Sequence, residues 1–200
     1  MSRITAVGWP RLAALTAAGT GLAATWELDR SGNATIATGI GFFDHMLEAL
    51  AKHSGTTISI RCTGDLHIDG HHTTEDVGIV LGQCLRQALG ERLGVERYGH
   101  IACPLDEALV QATVDLSGRP YLVYDLHPKA VRLGTWDTDL ITEFFGALTD
   151  HARFCLHLHQ LHGRNSHHIV EAGFKAVARA LRQAIRVSGA GVPSTKGALD

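Results

Sequence analysis

The sequence predicts an α+β fold made by internal duplication: two copies of a unit of roughly 95 residues, each a mixed sheet backed by two helices. Three observations predict it. First, His71-His72-Thr73-Thr74-Glu75 is answered 96 residues later by His167-His168-Ile169-Val170-Glu171, and the same offset carries Leu85-Arg86-Gln87-Ala88-Leu89 onto Leu181-Arg182-Gln183-Ala184-Ile185. Second, an offset of 98 sets Ala49-Leu50 on Ala147-Leu148, His53 on His151, and Ile58 and Ile60 on Leu156 and Leu158, while Ala24-Thr25 faces Ala112-Thr113 at 88. Third, segments of period 2 and period 3.6 interleave in each copy. The halves are expected at 1–95 and 96–188, joined near Gly94 to Gly99, and 189–200 reads as a Gly/Pro/Ser-rich loop contributing to the site.

In chain order, Gly21 to Asp29 and Asn33 to Thr38 read as strands around the turn Asp29-Arg30-Ser31-Gly32. Asp44 to His53 reads as a helix capped by Asp44, with Met46, Leu47 and Leu50 on its apolar face and Ser54-Gly55 as its stop. Thr56 to Arg61 alternates like a strand. Thr74 to Arg92 is a second helix opened by Glu75 and Asp76, whose apolar residues Val77, Val80, Leu81, Cys84, Leu85 and Ala88 recur at spacings of 3 and 4. The second copy supplies strands near Ala108 to Leu116, Pro120 to Leu126 and Phe154 to His159, and helices Asp137 to Ala152 and His167 to Val187.

Composition narrows the function. Apolar residues make up 45% and charged residues 19%, and 18 basic against 20 acidic residues leave a formal charge of −2, so no basic excess argues for nucleic acid or an acidic membrane. No apolar run suits a membrane span or a secretory signal, and the four scattered cysteines, Cys62, Cys84, Cys103 and Cys155, read as free thiols in a reducing cytoplasm. The abnormal number is 13 histidines.

A histidine with a glutamate three residues on puts imidazole and carboxylate on one helical face, a ligand set for a borderline divalent ion. The rings of adjacent histidines diverge, so the pairs His71-His72 and His167-His168 imply two ions. A short motif alone misfires, but its repetition at matched positions does not fit chance. His45 joins the set, and the offset of 98 puts Glu143 at its counterpart. Two approximately symmetric sites follow, with His45 and Glu75 from the first copy, Glu143 and Glu171 from the second, and the four paired histidines shared. His157 and His159 alternate on a strand, and His100, His127, His151 and His162 show no pattern, so these read as ordinary polar residues. Arg97, Arg119, Ser194, Thr195 and Lys196, with Lys175 in reach, form a candidate phosphate clamp.

Several stretches resemble the imidazoleglycerol-phosphate dehydratases of histidine biosynthesis. They are Gly39-Ile40-Gly41-Phe42-Phe43-Asp44-His45-Met46-Leu47, Gly64-Asp65-Leu66-His67-Ile68-Asp69-Gly70-His71-His72-Thr73-Thr74-Glu75-Asp76, Pro104-Leu105-Asp106-Glu107, Leu116-Ser117-Gly118-Arg119-Pro120, Gly163-Arg164-Asn165-Ser166-His167-His168, Phe174-Lys175-Ala176 and Pro193-Ser194-Thr195-Lys196-Gly197. The resemblance runs from about Leu28 to the C-terminus. It implies a shell of about 24 subunits with a pair of manganese ions at each interface. It also implies His45, His71, His72, Glu75, His167, His168 and Glu171 as ligands, and Arg97, Arg119, Ser194 and Lys196 as phosphate contacts. The reaction implied is loss of water from imidazole glycerol phosphate. Two ions on the imidazole nitrogens would stabilise an imidazolate that expels the neighbouring hydroxyl, and Glu171 or Glu75 would take the proton, with His45 completing the catalytic set.

The chain departs from the family pattern twice. Glu143 stands where several members have histidine, and Gly19 stands where the family has a substrate-contacting glutamate, with Glu27 or another acid as the alternative supplier of that group. Three readings follow: an active dehydratase, a degenerate homologue that binds metal and ligand with little turnover because of Gly19, and a structural shell assembled by metal.

Overall fold

The computed structural model describes residues 11–17 and 21–195. The first copy runs β1 (Leu12–Ala17), β2 (Leu22–Glu27), β3 (Thr35–Ala37), α1 (Gly41–Ser54), β4 (Thr57–Arg61) and α2 (His71–Leu89). The second runs β5 (Tyr98–Leu105), β6 (Ala108–Asp115), β7 (Tyr121–Asp125), a small hairpin β8 (Arg132–Leu133) and β9 (Trp136–Asp137), then α3 (Leu140–Ala152), β10 (Cys155–His162) and α4 (Ser166–Ala184). The two large sheets have matching orders, β1-β2-β4-β3 and β5-β6-β10-β7. In each, the last pair is parallel and the others antiparallel. The registers repeat as well: Trp26 pairs with Ile58 in one sheet and Val114 with Leu156 in the other, which are the offsets of 88 and 98 seen in three dimensions.

Alternation fixes which sheet face is covered. Along β2, Leu22, Ala24 and Trp26 are buried, and along β6, Ala108, Val110, Ala112 and Val114. Helix α2 packs on β1 and β2, and α4 on β5 and β6, while the helices meet each other crosswise, α1 on α4 and α2 on α3. The core therefore lies in two helical layers between two sheets. At its centre Trp136 stacks on Phe43 at 4.7 Å, Phe144 stands edge-on to Phe43 at 5.2 Å, and Phe174 stacks on Phe144 at 5.5 Å. All four are fully buried. The Trp136 indole donates to Thr74 Oγ1 at 3.0 Å, so its one polar atom is satisfied inside the core.

Several expectations need correction. The segments flanking Asp29-Arg30-Ser31-Gly32 are not a hairpin, because β4 lies between β2 and β3. The edge strands β1 and β5 were not expected: Leu12–Ala17 has no apolar alternation strong enough to read, and β5 contains Gly99 and Pro104, which suit an edge. Asp137 belongs to β9 rather than to the helix after it. Helices α2 and α4 stop at Leu89 and Ala184, short of Arg92 and Val187. Asp44 is not the cap residue of α1 but lies in its first turn, where Oδ1 accepts from the Thr38 N–H at 2.9 Å and the Thr38 hydroxyl at 2.5 Å. Glu75 lies beyond the first turn of α2, which begins at His71. Beyond α4 the chain folds back on the linker between copies, with Gly94 N–H donating to the Gly191 carbonyl and Ser188 N–H to the Gly94 carbonyl, both at 2.8 Å. Among the described residues, no helix is long and apolar enough to cross a membrane.

Helices α2 and α3 approach closely over Gly78 and Gly82. A Cβ on Gly78 would lie 2.8 Å from the Phe144 carbonyl oxygen, and one on Gly82 2.8 Å from that of Leu148. Helix propensity alone would make Gly78→Ala stabilising by about 1 kcal/mol. The backbone contact reverses the sign, and a net loss of about 1–3 kcal/mol is expected in urea unfolding. A raised midpoint would show that the helices can separate without cost.

Candidate active site

Four helix N-termini gather at one end of the molecule, around Trp136. Phe43 of α1 stacks on the indole, Thr74 of α2 accepts from it, and a Cβ built on Gly70 would contact Ile40, Leu140 and Trp136. Phe42 reaches His167 at the start of α4, edge-on at 5.0 Å. Each helix start therefore delivers its histidine or carboxylate to this end: His45, the pair His71-His72, Glu143, and the pair His167-His168.

The structure brings three of the expected ligands together. His45, His167 and Glu171 offer ligand atoms that all lie within 4.8 Å of one another, the only such cluster among the described residues. Glu171 Oε2 lies 2.9 Å from His167 Nε2 and 3.7 Å from His45 Nε2, and Oε1 lies 2.7 Å from Lys175 Nζ. Burial resists ionisation of Glu171, but the Lys175 ammonium and the His167 imidazole outweigh it and hold the carboxyl below its ordinary range. Two imidazoles and an ionised carboxylate fit a borderline divalent ion such as manganese.

The remaining residues divide. His71 Nε2 faces Glu75 Oε2 at 3.9 Å, matching the His167–Glu171 pair one copy on. The helical partner of each glutamate is thus the histidine four residues before it, not the one three before. His72 and His168 turn instead to carboxylates of other segments, His72 Nδ1 to Asp65 at 2.8 Å and His168 Nδ1 to Glu107 at 2.7 Å. Within each adjacent pair the rings are nearly perpendicular, at 87° and 83°. Glu143 is exposed on the first turn of α3 and joins no cluster within this chain. Asp65 and Glu107 were not singled out from the sequence. Both lie in the family-like stretches, but pairing across 7 and 61 residues is a tertiary fact.

The clamp residues lie elsewhere. Arg97 N–H donates to the Ala184 carbonyl at the C-terminal end of α4, and its guanidinium grips Asp115 at 2.7 Å and the Pro193 carbonyl at 2.9 Å, bringing Ser194 beside it. Arg119 lies in the turn after β6, where its N–H donates to Ser117 Oγ, and Leu116 N–H donates to the Arg97 carbonyl. Thr195 is exposed at the end of the described chain, and Lys196, like Gly19, lies outside the described residues. Lys175 lies apart from these residues within one chain, one helical turn from Glu171 and paired with it. From Glu171 to Ala184 along α4 is about 20 Å at 1.5 Å per residue. The His45–His167–Glu171 cluster and the residues expected to hold phosphate therefore lie toward opposite ends of α4.

A family profile described as Imidazoleglycerol-phosphate dehydratase matches residues 38–181. Curated relatives of that name include one from Acidiphilium cryptum (strain JF-5), 56% identical over 177 residues covering 86% of this chain and 90% of the relative. Another, from Cereibacter sphaeroides (strain ATCC 17025 / ATH 2.4.3), is 54% identical over 176 residues, again 86% and 90%. The chain belongs to the imidazoleglycerol-phosphate dehydratase family. The crystal structure of the family member from Staphylococcus aureus superposes with a TM-score of 0.82 at 38% identity, covering 88% of this chain and 99% of that one. The member from Pyrococcus furiosus, solved in complex with (S)-C348, gives 0.80 at 38% identity, covering 94% and 100%.

Glu27, the alternative to the family glutamate that Gly19 replaces, lies at the end of β2. It pairs with Leu12 and Thr57, just beyond α1, whose terminal Gly55 abuts Arg182 near the clamp end. His53, nearby on α1, is half-buried beside α4; burial, then Lys175, Arg179 and Lys52, push its pKa below 6.5 against the opposing pull of Glu171. A histidine whose folded pKa is depressed contributes stability that is complete above 6.5 and is lost as pH falls through the folded value. His53→Gln should therefore shrink the loss of Tm between about pH 7.5 and about pH 5.5. An identical loss in both proteins would contradict this placement.

Proposed function

We propose that this chain dehydrates imidazole glycerol phosphate to imidazole acetol phosphate in histidine biosynthesis, as a manganese-dependent, cytoplasmic carbon–oxygen lyase working in a homo-oligomer of about 24 subunits. The observation that carries the reading is the convergence of His45, His167 and Glu171 at the helix N-termini of a chain in this family. His45, His71, His72, Glu75, Glu143, His167, His168 and Glu171 would together hold two ions per chain. Bound there, the ions supply Lewis acidity at the imidazole nitrogens of the substrate.

The chain's own groups do the rest. Glu171 stays ionised beside Lys175, so it can accept the proton released from carbon, and Lys175, 2.7 Å away, balances the charge on the glutamate. Glu75 offers the same carboxylate in the first copy, and Phe42 holds the His167 ring edge-on. Arg97, Arg119, Ser194, Thr195 and Lys196 orient the substrate through its phosphate. Because about 20 Å of helix separates clamp from cluster, and only a glycerol chain joins imidazole to phosphate, one substrate cannot touch both ends of one chain. The clamp must come from a second copy. Exposed apolar side chains near the ligand end, Ile68 (64%), Val131 (77%) and Leu161 (52%), give such a copy a surface to cover.

The test is manganese-loaded protein incubated with imidazole glycerol phosphate, with metal counted on the same sample. Two ions per chain, ketone formation, and breakdown of the assembly under chelator are expected. A loaded protein that forms no product overturns the reading. Arg119→Ala should raise KM more than it lowers kcat, because a phosphate contact is similar in ground and transition states. A fall in kcat at unchanged KM would remove Arg119 from the clamp.

A further inference from the structure

Two of the three expected histidine ligands outside the three-residue cluster, His72 and His168, are held in a common way by residues that are not equivalent. His72 and His168 occupy matched positions at the starts of α2 and α4, 96 residues apart. Each has Nδ1 hydrogen-bonded to a carboxylate; Nε2 is left without a hydrogen bond of that kind, the exposed Asp106 carboxylate approaching that of His168 only to 3.7 Å. His72 meets Asp65 Oδ2, from the loop after β4, at 2.8 Å. His168 meets Glu107 Oε2, from the turn between β5 and β6, at 2.7 Å. The sequence accounts for the difference. The offset of 98 places Asp65 on Gly163, which has no carboxylate, and the offset of 88 places Glu107 on Gly19, which has none either. Each copy therefore supplies the carboxylate its counterpart lacks, from a different loop.

The surroundings of the two carboxylates also differ. Glu107 Oε1 accepts the backbone N–H of Arg164 at 3.0 Å and of Asn165 at 2.7 Å. The Asn165 side chain in turn caps α4 by accepting from the His167 N–H at 2.9 Å. The second Asp65 oxygen has no hydrogen-bond donor among the described residues. We propose that Glu107 and Asp65 are positioning residues that fix the Nδ1–H tautomer of His168 and His72 and so present Nε2 to the metal, with the second oxygen of Glu107 fixed by two backbone donors and that of Asp65 by none. This rests on the reading of His72 and His168 as ligands. A hydrogen bond from Nδ1–H to a carboxylate is the usual device for setting which imidazole nitrogen binds an ion.

The lock makes a directional prediction. In Glu107→Gln the two backbone N–H groups still require an oxygen, so the amide NH2 must face His168. His168 Nδ1 must then accept, which moves its proton to Nε2 and blocks that nitrogen as a ligand. In Asp65→Asn no pair of backbone donors fixes the amide, so its oxygen can keep accepting from His72, at the smaller cost of burying the NH2 where the second Asp65 oxygen lies. The experiment is Mn2+ titration of the wild type and both variants, free ion being read by electron paramagnetic resonance, with far-UV circular dichroism of the metal-free proteins checking the fold. Cobalt absorption spectra of the loaded proteins give a second readout. Glu107→Gln should weaken one class of site by about 10–100-fold and change the cobalt spectrum, Asp65→Asn should lose clearly less, and Glu107→Asp should recover part of the affinity. Unchanged affinity and spectrum in a folded Glu107→Gln protein overturn the inference alone. Equal losses in the two amide variants overturn the tautomer lock. A wild type that binds no manganese overturns the inference together with the reading beneath it.

Discussion

The whole arrangement depends on Trp136. An indole is large enough to touch several elements at once, and this one is fully buried with its N–H satisfied by Thr74. It is gripped by Phe43 from α1, by Thr74 from α2 and by Phe174 from α4, and its hairpin leads into α3. Four helix starts are thereby brought to one end of the fold. Helix starts carry partial positive charge, which suits carboxylates and neutral imidazoles better than ammonium groups. The paired histidines occupy the first three positions of α2 and α4, while Glu143 and His45 come fourth and fifth in α3 and α1. Packing in the interior thus decides where the polar chemistry gathers, although none of the core residues carries any of it.

Duplication then supplies two sets of ligands but not two identical sites. Among the described residues, the β8–β9 hairpin with Trp136 exists only in the second copy, and the cluster that forms takes His45 from the first copy and His167 and Glu171 from the second. In the counterpart set His71 and Glu75 face each other at 3.9 Å, but Glu143 joins no three-residue cluster among the described residues. The same incompleteness appears along α4, whose two ends carry ligand cluster and phosphate clamp. On the function proposed, an isolated chain holds parts of a site that a neighbouring copy would complete.

Much of this was legible in the sequence, for a physical reason. The duplication left its trace in side chains with a narrow choice of partners, so His71-His72, Glu75 and their copies 96 residues on stood out, and the offsets of 88 and 98 reappear as strand registers. Helices with a buried stripe were legible because burial imposes their period. The edge strands β1 and β5 were not, since an edge tolerates Gly99, Pro104 and weak alternation. Nor was the role of Asp65 and Glu107, because a carboxylate's partner is chosen by the packing of loops distant in sequence. Nor was the pairing of Lys175 with Glu171 at 2.7 Å, which helical spacing permits but a count of cations does not show.

The central claim is that a working site takes its metal end from one chain and its phosphate clamp from another. Two inactive proteins test it directly, His45→Ala, which lacks a ligand, and Arg119→Ala, assayed at low substrate. Each is dissociated with chelator, and the two are mixed and reassembled with manganese. If sites are shared, a chain with an intact ligand end can meet a chain with an intact clamp, and activity should return to as much as about a quarter of the wild-type value in an equal mixture. If each chain carries a whole site, no mixture contains an intact one, and activity that stays at the level of the separate variants would contradict the account.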